Sequence, residues 1–188
     1  SGKTKEVVRL MQALKSGGHP AVFGLTATAG SPVAELSARS HILGSGKEEA
    51  VAATKTVVEQ ALFYDCLLAA VRGKPVSARE VLQPLADMVE QALTRPVPAE
   101  LTEKALAAAA IYFAGRNDGV AEELTLKANE ITRKKADYLE GTYAVHGIEE
   151  VMDRGEAVVV VEPFEQETGK FRECLVDGVG LSVLAIGT

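Results

Sequence analysis

The chain has 188 residues, 47% of them hydrophobic and 24% charged, and a formal net charge of −6. This balance excludes a disordered polymer, and with no basic run it leaves no footprint for nucleic acid. No apolar run is long enough to cross a membrane and no leader peptide is visible, so a cytoplasmic location is the default expectation.

In chain order, TKEVVRLMQALKSGG places Val7, Leu10, Met11 and Leu14 at helical spacing and stops at Gly17 and Gly18. AVFGLTA reads as a short buried strand. SPVAELS reads as a short helix with Ser31 as N-cap and Pro32 in its first turn, and HILG as another strand. A long Ala-, Val- and Leu-rich helix is expected from Glu48 to Val71. A second follows in SAREVLQPLADMVEQAL, with Ser77 and Glu80 spaced as a capping box and Pro84 as a bend.

TRPVPAEL is the expected linker. Beyond it come helix LTEKALAAAA, strand IYFAG, a polar break and helix GVAEELTLKANEITRKK, followed by an irregular stretch. The chain closes with helix GIEEVMDRG, strand AVVVVEP, a helix through KFRECLVDG and strand LSVLAIG. Alternating strands and helices, with continuous apolar strands, predict an α/β fold of parallel sheets covered on both faces. The halves are placed at 1–94 and 101–188 with a linker at 95–100, and the first half is short of strands. Cys66 and Cys174 lie far apart in apolar stretches without metal-ligand spacing, as two buried thiols would.

Several residues could carry chemistry. Ser1, Gly2 and Thr4 precede a helix start, where small residues and free N–H groups suit either a phosphate or an ordinary N-cap. Glu123, Lys127 and Glu130 share one helix face at spacings of four and three, as a solvated ion-pair row or the wall of a cleft. His146 sits in a segment without period, where loops present acid–base groups. Gly44 and Gly46 precede the long helix, and Glu48 suits either a cap or a sugar hydroxyl.

Taken together, SGKTKEVV, GLTATAGSPVAELS and GSGKEEAVAATKTVVEQ resemble, in that order, the sugar-isomerase (SIS) domain. FAGR, EELTLKANEI and YAVHG resemble the second SIS domain of the isomerase part of glucosamine-6-phosphate synthase. The resemblance implies two consecutive three-layer α/β/α doubly wound SIS domains of flavodoxin-like type. It implies phosphate and sugar contacts at Ser1, Gly2, Thr4, Glu48 and Val51. Lys127 would lie near the sugar's reactive end, Glu130 would shuttle a proton between C1 and C2, and His146 would open the ring from a neighbouring subunit of a homodimer. No cofactor and no metal are expected.

The expected activity is aldose–ketose chemistry on a hexose or amino-hexose 6-phosphate, independent of glutamine, by an isomerase, a deaminase or a deglycase. The alternative is a non-catalytic phosphosugar-binding regulatory module. The long helix, apolar on most faces, is expected to be covered by a second copy. Relative to the family pattern the chain reads as truncated at both ends. It also departs at Ile148, where the pattern has proline, at Ala53 for a serine, and at Asn129 for a lysine. The last departure suggests a different substrate.

Overall fold

The computed structural model describes residues 1–140 and 143–187. The chain divides into two compact units, Ser1–Thr94 and Arg95–Thr188.

In the first unit, α1 (Lys5–Ser16) leads to β1 (Phe23–Thr26), α2 (Pro32–Leu36) and β2 (Arg39–Ile42). β1 and β2 pair in parallel, with Phe23 opposite Arg39 and Thr26 opposite Ile42. Pro32 and the Ser31 cap start α2 as the sequence predicts, the Ser31 hydroxyl accepting from the Ala34 N–H at 3.4 Å. α3 spans Lys55–Val71, and α4 (Gln83–Thr94) is entered through a π-helical turn, Ala78–Leu82. Two expectations are corrected. The long helix begins at Lys55 and not at Glu48, because residues 48–54 form an irregular approach that Glu48 itself organises. Ser77 makes no side-chain cap, so the predicted capping box is not formed.

Of α3's residues only Thr56 is buried. Val58, Leu67, Leu68 and Val71 are exposed, and Val58 and Leu62 line a groove of about 580 Å³ with Leu85, Val89 and Leu93 of α4.

The second unit carries α5 (Ala99–Ala107), β3 (Ile111–Gly115), α6 (Val120–Lys127), β4 (Ala136–Leu139), β5 (Ala157–Val161), α7 (Thr168–Phe171) and β6 (Ser182–Ile186). π-helical turns extend α6 through Ala128–Thr132 and α7 through Arg172–Val179, and GIEEV forms a 3₁₀ turn at Ile148–Val151. The sheet order is β4-β3-β5-β6, all parallel. Side chains alternate across β5. Val158 and Val160 join one core with Leu139, Met152, Phe171 and Leu175, while Ala157, Val159 and Val161 join another with Ile111, Phe113 and Ala121. The AVVVV run is therefore buried on both faces, as its continuous apolarity predicts. β4 falls in the stretch read from sequence as irregular. It is an edge strand of four residues, too short and polar to announce itself.

Candidate functional site

In the first unit the Ser1–Thr4 segment packs on the carboxyl end of β1. Gly2 adopts φ +65, and a Cβ there would fall 2.3 Å from Ser31 Oγ and 2.5 Å from Thr26 Oγ1, so only glycine fits. The Val33 N–H donates to the Gly2 carbonyl at 3.1 Å. Beneath lie two buried hydroxyls, Thr26 and Ser31, 3% and 1% exposed and 3.4 Å apart. The sequence marked Ser31 only as a cap and passed over Thr26, whose place at the end of a strand just before a helix was the available signal.

Thr4 is the residue before α1, and its carbonyl accepts from the Val8 N–H at 3.0 Å, but its hydroxyl makes no capping bond. Thr4 thus holds the N-cap position without a side-chain cap bond, and the first-turn N–H groups have no intrahelical acceptor.

The other glycine-rich junction is already filled. Glu59 of α3 reaches back to accept from the Gly44 N–H at 2.6 Å and the Ser45 N–H at 2.8 Å. The Ser45 hydroxyl alongside, and then these N–H donors, hold the Glu59 carboxyl below its usual pKa against a desolvation cost. Glu48 behaves alike. One carboxylate oxygen accepts from the Thr54 N–H at 2.8 Å and from the Thr56 N–H and hydroxyl, both at 2.9 Å. Donation from the Thr56 N–H, then from Thr54, lowers its pKa. Of the two roles open to Glu48, the structure displays the cap. Val51 is fully exposed in the same approach segment.

In the second unit the predicted row on α6 forms. Lys127 Nζ lies 2.7 Å from Glu130 Oε2 and 3.4 Å from Glu123 Oε1, and its side chain is only 16% exposed. The Glu130 contact raises the Lys127 pKa above the usual lysine value; burial opposes this and Glu123 reinforces it. The ammonium is therefore fully charged at neutral pH. Glu130 belongs to the π-helical turn that extends α6, which ends at Arg133 in a left-handed conformation, φ 56. His146 lies in an exposed turn between two 3₁₀ turns, its N–H donating to the Tyr143 carbonyl at 3.1 Å.

Strand order reverses between β3 and β5, the position at which open α/β sheets form a crevice. Gly115 permits the close approach there, since a Cβ would meet the Val161 carbonyl oxygen at 2.5 Å. Arg116 Nε donates to the Glu162 carbonyl at 2.7 Å, and its guanidinium lies 4.7 Å from the Phe164 ring centroid. These contacts hold Glu162 at φ 43, which a non-glycine residue rarely adopts. Among the described residues no His, Cys, Asp or Glu cluster could hold a metal, and no helix is long and apolar enough to cross a membrane.

No protein-family profile and no curated protein sequence matches the chain. Solved structures do. The C-terminal domain of glucosamine-fructose-6-phosphate aminotransferase from Francisella tularensis superposes with a TM-score of 0.80 at 20% identity, over 98% of this chain and 56% of that one. A glucosamine-6-phosphate deaminase from Thermotoga maritima gives 0.75 at 22% identity, over 99% and 58%. A provisionally assigned phosphosugar isomerase from Silicibacter pomeroyi gives 0.75 at 26% identity, over 98% and 57%. The fold is the α/β fold of SIS-type phosphosugar isomerases, as the motif order implies. The chain spans under three fifths of the length of each of these three structures.

Proposed function

We propose that the first unit binds the phosphate of a phosphorylated sugar on the Ser1–Thr4 segment, and that Lys127 and Glu130 serve aldose–ketose proton transfer. The observation that carries the phosphate assignment is selective. At the Gly44–Ser45 junction a carboxylate already takes the backbone N–H groups, whereas at the start of α1 the Thr4 hydroxyl makes no cap. A dianion seated there gains from the helix dipole and from N–H donors that otherwise face water. Ser1 supplies a second hydroxyl, and Gly2 lets the backbone approach closely.

For the chemistry, a carboxylate removes the proton from C2 of the open-chain aldose and returns it to C1 of the enediolate, while the O2 proton passes to O1 to leave the C2 ketone. A neighbouring ammonium stabilises the negative oxygen meanwhile. Glu130 suits the first task and Lys127 the second. His146 is assigned ring opening, and Glu48 and Val51 the sugar's surroundings. These roles rest on the motif resemblance, and phosphosugar chemistry is also named for the structural neighbours. The exposed apolar faces of α3 and α4 are assigned to contact with a second copy in a homodimer. Sedimentation should then give twice the monomer mass, and a monomer would reject the dimer.

The test is a panel of hexose and hexosamine 6-phosphates followed by NMR for binding and interconversion. Turnover of one member, lost in Glu130→Gln with binding kept, supports the enzyme. Binding without turnover of any member leaves a phosphosugar-binding module, and no binding rejects both.

A further inference from the structure

Asn129 is one of the three positions where the chain departs from the motif pattern, and the structure gives its side chain a local task. Nδ2 donates to the Thr125 carbonyl at 3.1 Å and to the Ala136 carbonyl at 2.9 Å, while Oδ1 accepts from the Ala136 N–H at 3.0 Å. The amide thus pairs with the first residue of β4 as a neighbouring strand would, and ties it to the last full turn of α6. Asn129 lies in the π-helical turn between Lys127 and Glu130, two residues apart from the first and adjacent to the second. A π turn widens the helix and exposes backbone groups that need outside partners, which is why such turns mark sites where side-chain direction matters. Thr132 reinforces the same turn, its hydroxyl donating to the Ala128 carbonyl at 2.6 Å.

We propose that Asn129 is a positioning residue: by clamping the π turn to the start of β4 it holds Glu130 against Lys127. The charged groups facing Lys127 are Glu123 at 3.4 Å and Glu130 at 2.7 Å, both on the same helical run. A turn released from β4 carries Glu130 away and leaves Lys127 with Glu123 alone. The clamp itself is a property of this unit. Its consequence for turnover rests on the aldose–ketose reading, where a misplacement of about 1 Å costs up to about a hundredfold in rate.

The experiment is competitive acylation of lysine amines with acetic anhydride between pH 8 and 11, read by peptide mass mapping. It compares wild type, Asn129→Ala, Asn129→Asp and Lys134→Met. Lys134 Nζ donates to the Leu106 carbonyl at 2.7 Å and to the Ala108 carbonyl, so its loss weakens the same unit without touching the clamp. Asn129→Ala should raise the acylation rate of Lys127 by about threefold as its ion pair loosens, while Lys134→Met leaves that rate unchanged. Should Asn129→Ala fail to fold, Asn129→Asp decides, because it keeps the acceptor for Ala136 N–H and loses both donations; its Lys127 should also react faster. An unchanged Lys127 rate in both variants overturns the proposal, as does an equal rise in Lys134→Met. With a substrate in hand, Asn129→Ala should lower kcat by about tenfold with KM within about twofold. Faster acylation in a chain that turns over no sugar phosphate upholds the clamp and rejects the enzyme reading instead.

Discussion

The two units are built from the same alternation of strands and helices but are held together differently. In Arg95–Thr188 a four-stranded sheet carries a strand buried along its whole length, with an apolar cluster on each face. In Ser1–Thr94 two short strands pair, β2 is exposed throughout, and the backbone is pinned by side-chain oxygens: Ser31 on α2, Glu48 on α3, and Glu59 on the Gly44–Ser45 loop. The second unit is a packed core that presents charged groups on a helix. The first is a hydrogen-bonded scaffold pinned by carboxylates, which exposes it to changes of charge.

The largest contrast should appear on deleting leucine side chains. Leu175 is fully buried, so Leu175→Ala should cost about 2–5 kcal/mol in denaturant unfolding. Leu68 on α3 is 51% exposed, and Leu68→Ala should cost well under about 1 kcal/mol. Equal losses in dilute, monomeric protein would break the comparison, whereas a cost at Leu68 that grows with protein concentration would mark the second copy proposed to cover α3.

Next in size is Gly2→Ala. The left-handed φ and the clash with Ser31 and Thr26 force the segment off β1, at a cost of about 1–3 kcal/mol for the strain alone. Phosphosugar binding, followed by calorimetry, should disappear while the second unit's unfolding is unchanged. Retained affinity would separate the loop from the anion.

Acid sharpens the comparison further. Glu48 and Glu59 are both held below their usual pKa in the folded state. The stability they contribute is therefore complete above the unfolded carboxylate value of 4.5 and is lost as pH falls through the lowered folded values. Hydrogen exchange should show residues 44–56 opening below about pH 4.5 while β5 stays protected. Glu48→Gln and Glu59→Gln should flatten that dependence. Parallel loss of protection in both units would contradict the assignment.

The smallest expected stability change is at Lys127. Its ion pairs are partly exposed, so Lys127→Met should move stability by less than about 1 kcal/mol, while turnover of a phosphosugar substrate falls steeply. A large drop in melting temperature would make the pair structural.

What could be read from the sequence followed from how local each feature is. The Glu123–Lys127–Glu130 row needs only a helix, and spacing alone placed it. The buried β5 needs only a run of valines. The start of α3 was misread because Ala50, Val51, Ala52 and Ala53 have helical composition, while the cap that sets the boundary comes from Glu48, eight residues before Thr56. Glu59 closing on Gly44 and Ser45 is a contact across fourteen and fifteen residues that no periodicity announces. β4 was hidden for a related reason: its first residue is fixed by the Asn129 amide, and the sequence offers only ADYL among charged neighbours.

The central claim is that a phosphate seats at the start of α1, and amide NMR of the labelled chain titrated with glucosamine 6-phosphate tests it most directly. The account predicts shifts centred on Gly2–Val7 and on Thr26–Ser31, absent with unphosphorylated glucosamine and abolished by Thr4→Val. Shifts centred on Gly44–Gly46 with Gly2–Val7 silent, or an undiminished response in Thr4→Val, would contradict it.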